Sequence, residues 1–273
     1  MILLHLLLAV LYAAGVWALW PVPVQGAGGV SPGTPKWTGI APLLVPAALL
    51  LHAWLVSADL ARPEGLDLSF ANALSVVSGM CAIVAWASGL FRTLPMVASV
   101  VLPIAGIFSL LPIVGENPHP FPYGESPWAA AHVAVALLAY ALLIIAAVQA
   151  LVLIWLEKRL HRGLGNSADA ELPPLLTLER LLFRLVALGF VLLTLTVVSG
   201  VFFSETLFGK PLTSNHKTVF SILSWLVFAG LLVGRRRYGW RGRVALRWIL
   251  TGTTLLFLAY LGSKFVLEVL LHR

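Results

Sequence analysis

The sequence has few charged residues and a single cysteine. Only 11% of its 273 residues are Asp, Glu, Lys or Arg, and Cys81 is the one thiol. Soluble domains carry about a quarter charged residues, so this composition excludes an ordinary water-soluble protein. One thiol also excludes an intrachain disulfide and any metal site built from paired cysteines, and there is no CxxCH motif.

Signatures of soluble catalysts are absent as well. The chain has no GxSxG elbow, no HExxH pair and no phosphate-binding P-loop, and no apolar run contains a cluster of carboxylates. The sequence therefore offers no recognised catalytic constellation, and an enzymatic role has little positive support.

Long hydrophobic runs are abundant. Hydrophobic residues make up 60% of the chain and the mean hydropathy is +0.95. Runs of about 20 apolar residues, each long enough to cross a bilayer, lie near 2–20, 38–58, 70–91, 94–115, 127–156, 181–204, 215–234 and 245–271. The prediction is an all-α, polytopic transmembrane bundle of about eight spans, forming one domain over residues 1–273.

Three local features bear on these boundaries. The first run has no positively charged segment before it, which favours a span over a cleaved signal peptide. Phe91 to Pro95 must form a tight turn between the third and fourth runs, because Pro95 disfavours one continuous helix. Thr177 is the predicted N-cap of the sixth helix.

The basic residues predict the orientation. The formal net charge is +7, and Lys36, Arg92 and the basic residues of segments 158–184 and 235–243 fall in alternate loops. Clustering of this kind marks cytoplasmic loops and does not indicate a nucleic-acid surface. Both termini are then extracytoplasmic, and the predicted location is the bacterial cytoplasmic (inner) membrane.

The same orientation sorts the seven histidines. Only His161 is predicted to be cytoplasmic; the extracytoplasmic set is His5, His52, His119, His132, His216 and His272. Neutral imidazole binds iron, zinc or copper, and two histidines on facing helices can ligate a planar haem from both sides. Histidines at an interface also cap helices or meet lipid headgroups, and that interpretation is favoured for His5 and His119. His52 is the most deeply embedded and needs a partner or a cavity.

Two helical stripes carry polar residues. Tyr260, Lys264, Glu268 and His272 follow one another at i+4 in the last span. Lys264 and Glu268 can neutralise each other there; alternatively, Lys264 pairs with an anionic ligand group such as a haem propionate. The second stripe, which runs from Asn72 to Trp86 in the third span, favours close helix packing.

Several stretches resemble the cytochrome c assembly (CcsA/CcmC-like) membrane proteins, especially their YpjD- and HemX-like branch. They are SPWAAAHV at 126–133, LPPLLTLER at 172–180, TLTVVSG at 194–200, HKT at 216–218, SW at 224–225, YGWRGR at 238–243 and AYLGS at 259–263. The resemblance covers nearly the whole chain. It implies a membrane protein that binds or handles haem.

The resemblance also implies site residues. In these relatives two histidines flank a tryptophan-rich loop, the WWD segment, and hold haem at the outer face; His132 and His272 match those positions. The expected cofactor is non-covalent haem b with His132 and His272 as iron ligands, with His52 and His216 as a second pair and with Lys264 and Tyr260 nearby. Residues 204–217 contain no tryptophan, so the WWD segment has no counterpart.

Two other functions stay open at this stage. One is a non-haem accessory or regulatory scaffold of the HemX-like kind, and the other is a small-solute transporter with the Tyr260 to His272 stripe, His52 and Asn72 along its path. The expected partners are membrane lipid and other proteins of cytochrome c biogenesis or the haem pathway, without nucleic acid. Internal inverted repeats would favour a transporter, and none is convincing.

The orientation is testable by fusion reporters. Alkaline phosphatase fused after Arg273 is expected to be active, because the predicted C-terminus is extracytoplasmic, whereas a fusion in the Arg235 to Arg243 loop is expected to be inactive. Activity measured in whole cells checks this. The reverse pattern of activities would invert the assignment of all seven histidines.

Overall fold

A computed structural model shows a bundle of membrane-length helices. The structure describes residues 1–19, 22–26, 29–33, 41–62, 65–114, 120–121, 126–162, 174–202, 216–262 and 265. Within these residues the helices are α1 Ile2–Leu19, α2 Ala41–Leu60, α3 Phe70–Ala87, α4 Leu90–Thr93, α5 Pro95–Phe108, α6 Leu111–Val114, α7 Pro127–His161, α8 Leu175–Phe202, α9 His216–Tyr238 and α10 Gly242–Phe257. A π-helical turn, Leu258–Gly262, continues α10.

Short strands join some of the helices. β1 Val22–Gly26 pairs with β2 Gly29–Gly33 in an antiparallel ribbon between α1 and α2. β3 Ala61–Arg62 pairs with β4 Gly65–Asp67, and β4 pairs with β5 Pro120–Phe121. The β4–β5 pairing joins the segments that lead into α3 and α7, so these two helices begin at the same end of the bundle.

The predicted all-α membrane bundle is confirmed. Among the described residues, eight helical segments are long and apolar enough to cross a membrane, with mean hydropathies from 1.6 to 2.7. Many large apolar side chains on them are exposed, including Leu3, Leu50 and Leu188. Hydrocarbon solvates such side chains, so the exposed surface is the lipid-facing surface.

The helices pack as two groups of four. α1, α2, α3 and α5 pack together, and α7, α8, α9 and α10 form the second group. Contacts of α7 with α3 and α5 join the groups. Small residues permit these approaches: a Cβ added to Gly189 of α8 would lie 2.8 Å from the Leu143 side chain of α7. Close backbone approach is the main source of helix association in lipid, where apolar burial gives little.

The break between the third and fourth spans is confirmed, although Phe91 to Thr93, predicted as part of a tight turn, lie in the short helix α4. α3 ends at Ala87, Gly89 has a left-handed φ of +70°, and α4 provides one further turn. Pro95 then begins α5 at its first position, where its missing N–H is not needed.

The predicted cap at Thr177 is wrong. α8 begins two residues earlier, at Leu175, and the Thr177 amide donates to the Pro174 carbonyl at 2.7 Å. Thr177 therefore lies inside the first turn. Pro174 immediately precedes the helix, and its carbonyl accepts the Thr177 and Leu178 amides, as the carbonyl of an N-cap residue does.

Two ends of the bundle can now be distinguished. The basic end contains the C-termini of α7 and α9 and the N-termini of α8 and α10, with Arg162, Arg235 and Arg243. The histidine end contains the N-termini of α3, α7 and α9, with His132 and His216. The two basic segments that loop charge assigned to one side thus lie at the same end.

Candidate functional site

His132 lies on the second turn of α7 at the histidine end. Pro127 occupies the first position of α7, and the Ser126 hydroxyl accepts the Ala129 amide at 3.4 Å, which fixes the start of the helix. The His132 side chain is partly buried and faces the last turns of α8. Its Nδ1 lies 2.7 Å from the Ser199 hydroxyl oxygen.

The Ser199 hydroxyl lies between His132 Nδ1 and the Thr196 carbonyl oxygen, which is 3.1 Å away. A serine hydroxyl has one proton and donates it to only one of the two. With the Thr196 carbonyl as its acceptor, the Ser199 oxygen accepts from His132, Nδ1 carries the imidazole proton and Nε2 carries the lone pair. Histidines that bind metals through Nε2 use this arrangement, in which the second nitrogen donates to a neighbouring oxygen.

The surroundings of His132 are small and partly open. Ala136 is half-buried one turn after His132 on the same face of α7, and a Cβ added to Gly200 would lie 3.6 Å from His132 Cε1, an ordinary contact. Trp128 is four residues before His132, on the same face of α7, and is 78% exposed. The chain thus places an imidazole beside small residues and one aromatic ring, which suits a flat ligand.

His5 is held in a buried pair in the first helix group. Its Nδ1 donates to the Ser109 carbonyl at 2.6 Å, and its Nε2 lies 3.5 Å from the Asp59 carboxylate. The side chain is 2% exposed. His5 therefore joins the ends of α1, α2 and α5, in agreement with the structural role favoured from the sequence.

His52 is hydrogen-bonded at both ring nitrogens. Nδ1 lies 2.7 Å from the Tyr12 hydroxyl, and Nε2 lies 3.1 Å from the Ser75 hydroxyl. Gly79 makes room for the ring, because a Cβ there would lie 2.9 Å from His52 Cε1. The embedded histidine thus finds partners on α1 and α3. Iron ligation by His52 would require one of these bonds to break.

Tyr260 lies deeper than His132. Its ring is edge-to-face with that of Tyr140, with 6.0 Å between centroids, and the Tyr140 hydroxyl donates to the Leu256 carbonyl at 2.8 Å. Tyr140 is two turns along α7 from His132, about 12 Å at 1.5 Å per residue. Tyr260 also lies in the π-helical turn, which shifts the i+4 phase assumed for the polar stripe.

The other predicted site residues lie either at an exposed helix end or outside the described residues. His216 is exposed at the first position of α9. His272, Lys264, Glu268 and His119 lie outside the described residues. Within the part of the chain that is described, no three or more His, Cys, Asp or Glu side chains gather as a metal site. The structure thus gives contacts for His132, His52 and Tyr260, and it does not bring these three together.

None of the side chains that contact His5, His52 and His132 was predicted as a partner from the sequence. Ser199 lies within a stretch noted only for its family resemblance. Tyr12 follows His5 by seven residues, so both lie on one face of α1, which was a usable signal. Asp59 lies one residue before the end of α2, and no pattern in the sequence marks it as the partner of His5.

Comparisons with known proteins identify a family of membrane proteins. Residues 40–271 match the family model described as Cytochrome C assembly protein. The inner membrane protein YpjD of Escherichia coli (strain K12) is 32% identical, over 97% of this chain and 98% of the relative. The cytochrome c biogenesis protein CcsA of Thermosynechococcus vestitus is 28% identical over 62% of this chain and 66% of that protein. No solved structure matches.

The His52 pocket predicts a difference between two glycine substitutions. Gly79→Ala is expected to destabilise the protein by about 1–3 kcal/mol, because the new methyl group overlaps a ring fixed by two hydrogen bonds. Gly106→Ala is the matched control: a Cβ there meets its nearest neighbours at 3.6 Å. Thermal unfolding in detergent measures both. Equal melting temperatures for the two variants would contradict the tight placement of His52.

Proposed function

The chain belongs to the cytochrome c assembly family of inner-membrane proteins, and on that premise we propose that it binds haem non-covalently at the histidine end. The 2.7 Å hydrogen bond between His132 Nδ1 and Ser199 is the observation that carries the proposal. With Nδ1 as the donor, the lone pair lies on Nε2, the nitrogen that ligates iron in this arrangement. Bound haem would supply a redox-active iron.

The residues present fit such a group on one side. His132 is partly buried, Ala136 is a small residue one turn along the same face of α7, and Trp128 offers an exposed ring on that face. A planar macrocycle needs an apolar surface beside its axial ligand, which these residues provide. We propose His272 as the second axial ligand, from its position in the family resemblance, and Lys264 as the partner of a propionate.

His52 and His216 differ in the roles that we propose for them at the haem site. The hydrogen bonds from His52 to Tyr12 and Ser75 give it a structural role, so we propose no axial ligation by His52 in the folded state. His216 is exposed at the mouth of the bundle and remains a candidate ligand. We propose that Tyr260, next to Tyr140, forms the inner wall of the site, two turns of α7 from His132.

The missing tryptophan-rich loop favours a second candidate function. Residues 204–217 contain no tryptophan, so the element that lays haem out for transfer in the relatives has no counterpart. A scaffold that regulates or assembles haem-pathway proteins without binding haem is consistent with this departure. Haem titration separates the two functions, because the scaffold predicts no saturable change in the Soret band.

Substitution of the proposed ligands tests the haem site. His132→Ala and His272→Ala are each expected to lower the haem content of purified protein, because each removes one axial ligand. His161→Ala at the basic end is the control, because its Nδ1 bonds to the Glu157 carbonyl of its own helix. Pyridine haemochrome assay measures haem per chain. Equal effects of all three substitutions would contradict the assignment.

Removal of the Ser199 hydroxyl tests the tautomer argument. Ser199→Ala is expected to weaken haem binding by about 10–100-fold, the usual effect of losing the oxygen that orients a ligating histidine. Ser99→Ala is the matched control, because Ser99 makes the same bond to the carbonyl three residues back, at 2.8 Å to Met96. Haem titration followed at the Soret band measures both. Unchanged affinity in Ser199→Ala would show that Ser199 does not orient the ligand.

A further inference from the structure

The basic end contains a cavity that the haem proposal does not use. It has a volume of about 250 Å³ and is lined by Glu157, Lys158, His161, Arg162 and Arg243. The first four residues end α7, and Arg243 begins α10. Three cations and one carboxylate give the lining a net charge of +2 with neutral His161, so the cavity suits an anion.

The cations of this cavity form no ion pairs with acidic side chains of the described chain. Lys158, Arg162 and Arg243 form no ion pair there, whereas Arg235 lies 3.6 Å from Glu179 and covers the Phe183 ring at 3.3 Å. Arg235 thus has a structural role between α8 and α9. The three lining cations are the ones available to a ligand.

The wall that carries Arg243 is held in place by aromatic packing. Trp240 lies against Gly234, where no side chain fits, and its ring centroid is 5.0 Å from that of Trp248. Gly239 and Gly242 adopt left-handed φ values of +66° and +53°, which close the turn between α9 and α10. Arg243 is therefore presented from a preformed turn, which lowers the entropic cost of binding.

The start of α10 adds to the positive potential. Arg241 occupies the N-cap and makes no side-chain capping bond, and no acidic residue lies in the first turn. The N–H groups of a first helical turn attract anions, and phosphate groups in particular. This contribution reinforces the charge of the three side chains.

The cavity lies at the depth of lipid headgroups. Trp155 is 48% exposed and has the Arg159 guanidinium 5.1 Å above its ring, as expected for a residue of the aromatic belt at the membrane interface. Lys158 to Arg162 lie about 5–10 Å further along α7, at 1.5 Å per residue. Headgroup phosphates of the adjacent leaflet occupy this level.

We propose that the cavity between the end of α7 and the start of α10 is a phosphate-binding site, with Lys158, Arg162 and Arg243 as its cationic ligands. Anionic phospholipid reaches it from the membrane, and a soluble phosphate compound reaches it from the aqueous side. Basic pockets between membrane helices bind cardiolipin-like headgroups by the same chemistry.

Native mass spectrometry of the delipidated full-length protein tests this proposal. Cardiolipin, with two phosphates, is titrated beside zwitterionic phosphatidylcholine and inorganic pyrophosphate. Arg162→Gln/Arg243→Gln is expected to weaken binding of the phosphate probe by about tenfold or more, because each basic residue at a membrane surface contributes about 1 kcal/mol. The matched pair Arg236→Gln/Arg237→Gln removes the same charge from exposed residues at the same end and is expected to change binding less than about twofold.

The two arms identify the source of the phosphate. Binding of cardiolipin without pyrophosphate indicates a lipid site, and displacement of cardiolipin by pyrophosphate indicates a site open to soluble phosphates. Arg162→Lys/Arg243→Lys, which keeps the charge, is expected to bind within a few-fold of wild type and checks that the glutamine pair acts through charge. The proposal is overturned if wild type binds neither probe, or if the control pair weakens binding as much as the cavity pair.

Discussion

The absence of water in the bilayer is the constraint on which this structure depends. A buried polar group in hydrocarbon must find its partner within the chain, because an unpaired one costs several kcal/mol. The deep polar side chains of this bundle meet that requirement across helices: His52 with Tyr12 and Ser75, and Tyr140 with the Leu256 carbonyl. Each bond fixes how two helices are rotated relative to each other.

The same constraint separates the histidines by role. In the first helix group His5 and His52 are hydrogen-bonded to groups on neighbouring helices, and Gly79 leaves space only for the imidazole of His52. In the second group His132 is hydrogen-bonded through Nδ1 to the Ser199 hydroxyl, and we propose that Nδ1 is the donor. The histidines are thus chemically unequal, although they look alike in the sequence. A ligand site at one end of α7 and a cationic cavity at its other end are compatible, because this 35-residue helix extends beyond the hydrocarbon on its basic side.

Hydropathy predicted much of the fold, because helices that face lipid are composed mainly of apolar residues. The eight spans and the turn at Pro95 are confirmed, with ends displaced by a few residues. The partners of the histidines were not predictable in the same way. Tyr12 and His52 are forty residues apart and Ser199 and His132 sixty-seven, so only helix packing brings them together. The start of α8 was missed because Pro174, and not the hydroxyl of Thr177, begins it. The π-helical turn at Leu258–Gly262 has no composition that marks it in the sequence.

The protonation of His132 tests the central claim most directly. Protein labelled with ¹⁵N-histidine and reconstituted in bilayers gives separate signals for the two ring nitrogens, and comparison with His132→Gln assigns those of His132. The hydrogen bonds to Ser199 and Thr196 predict a neutral ring protonated at Nδ1, with Nε2 unprotonated. A ring protonated at Nε2 alone would make Ser199 the donor, would leave the lone pair facing Ser199, and would contradict iron ligation through Nε2.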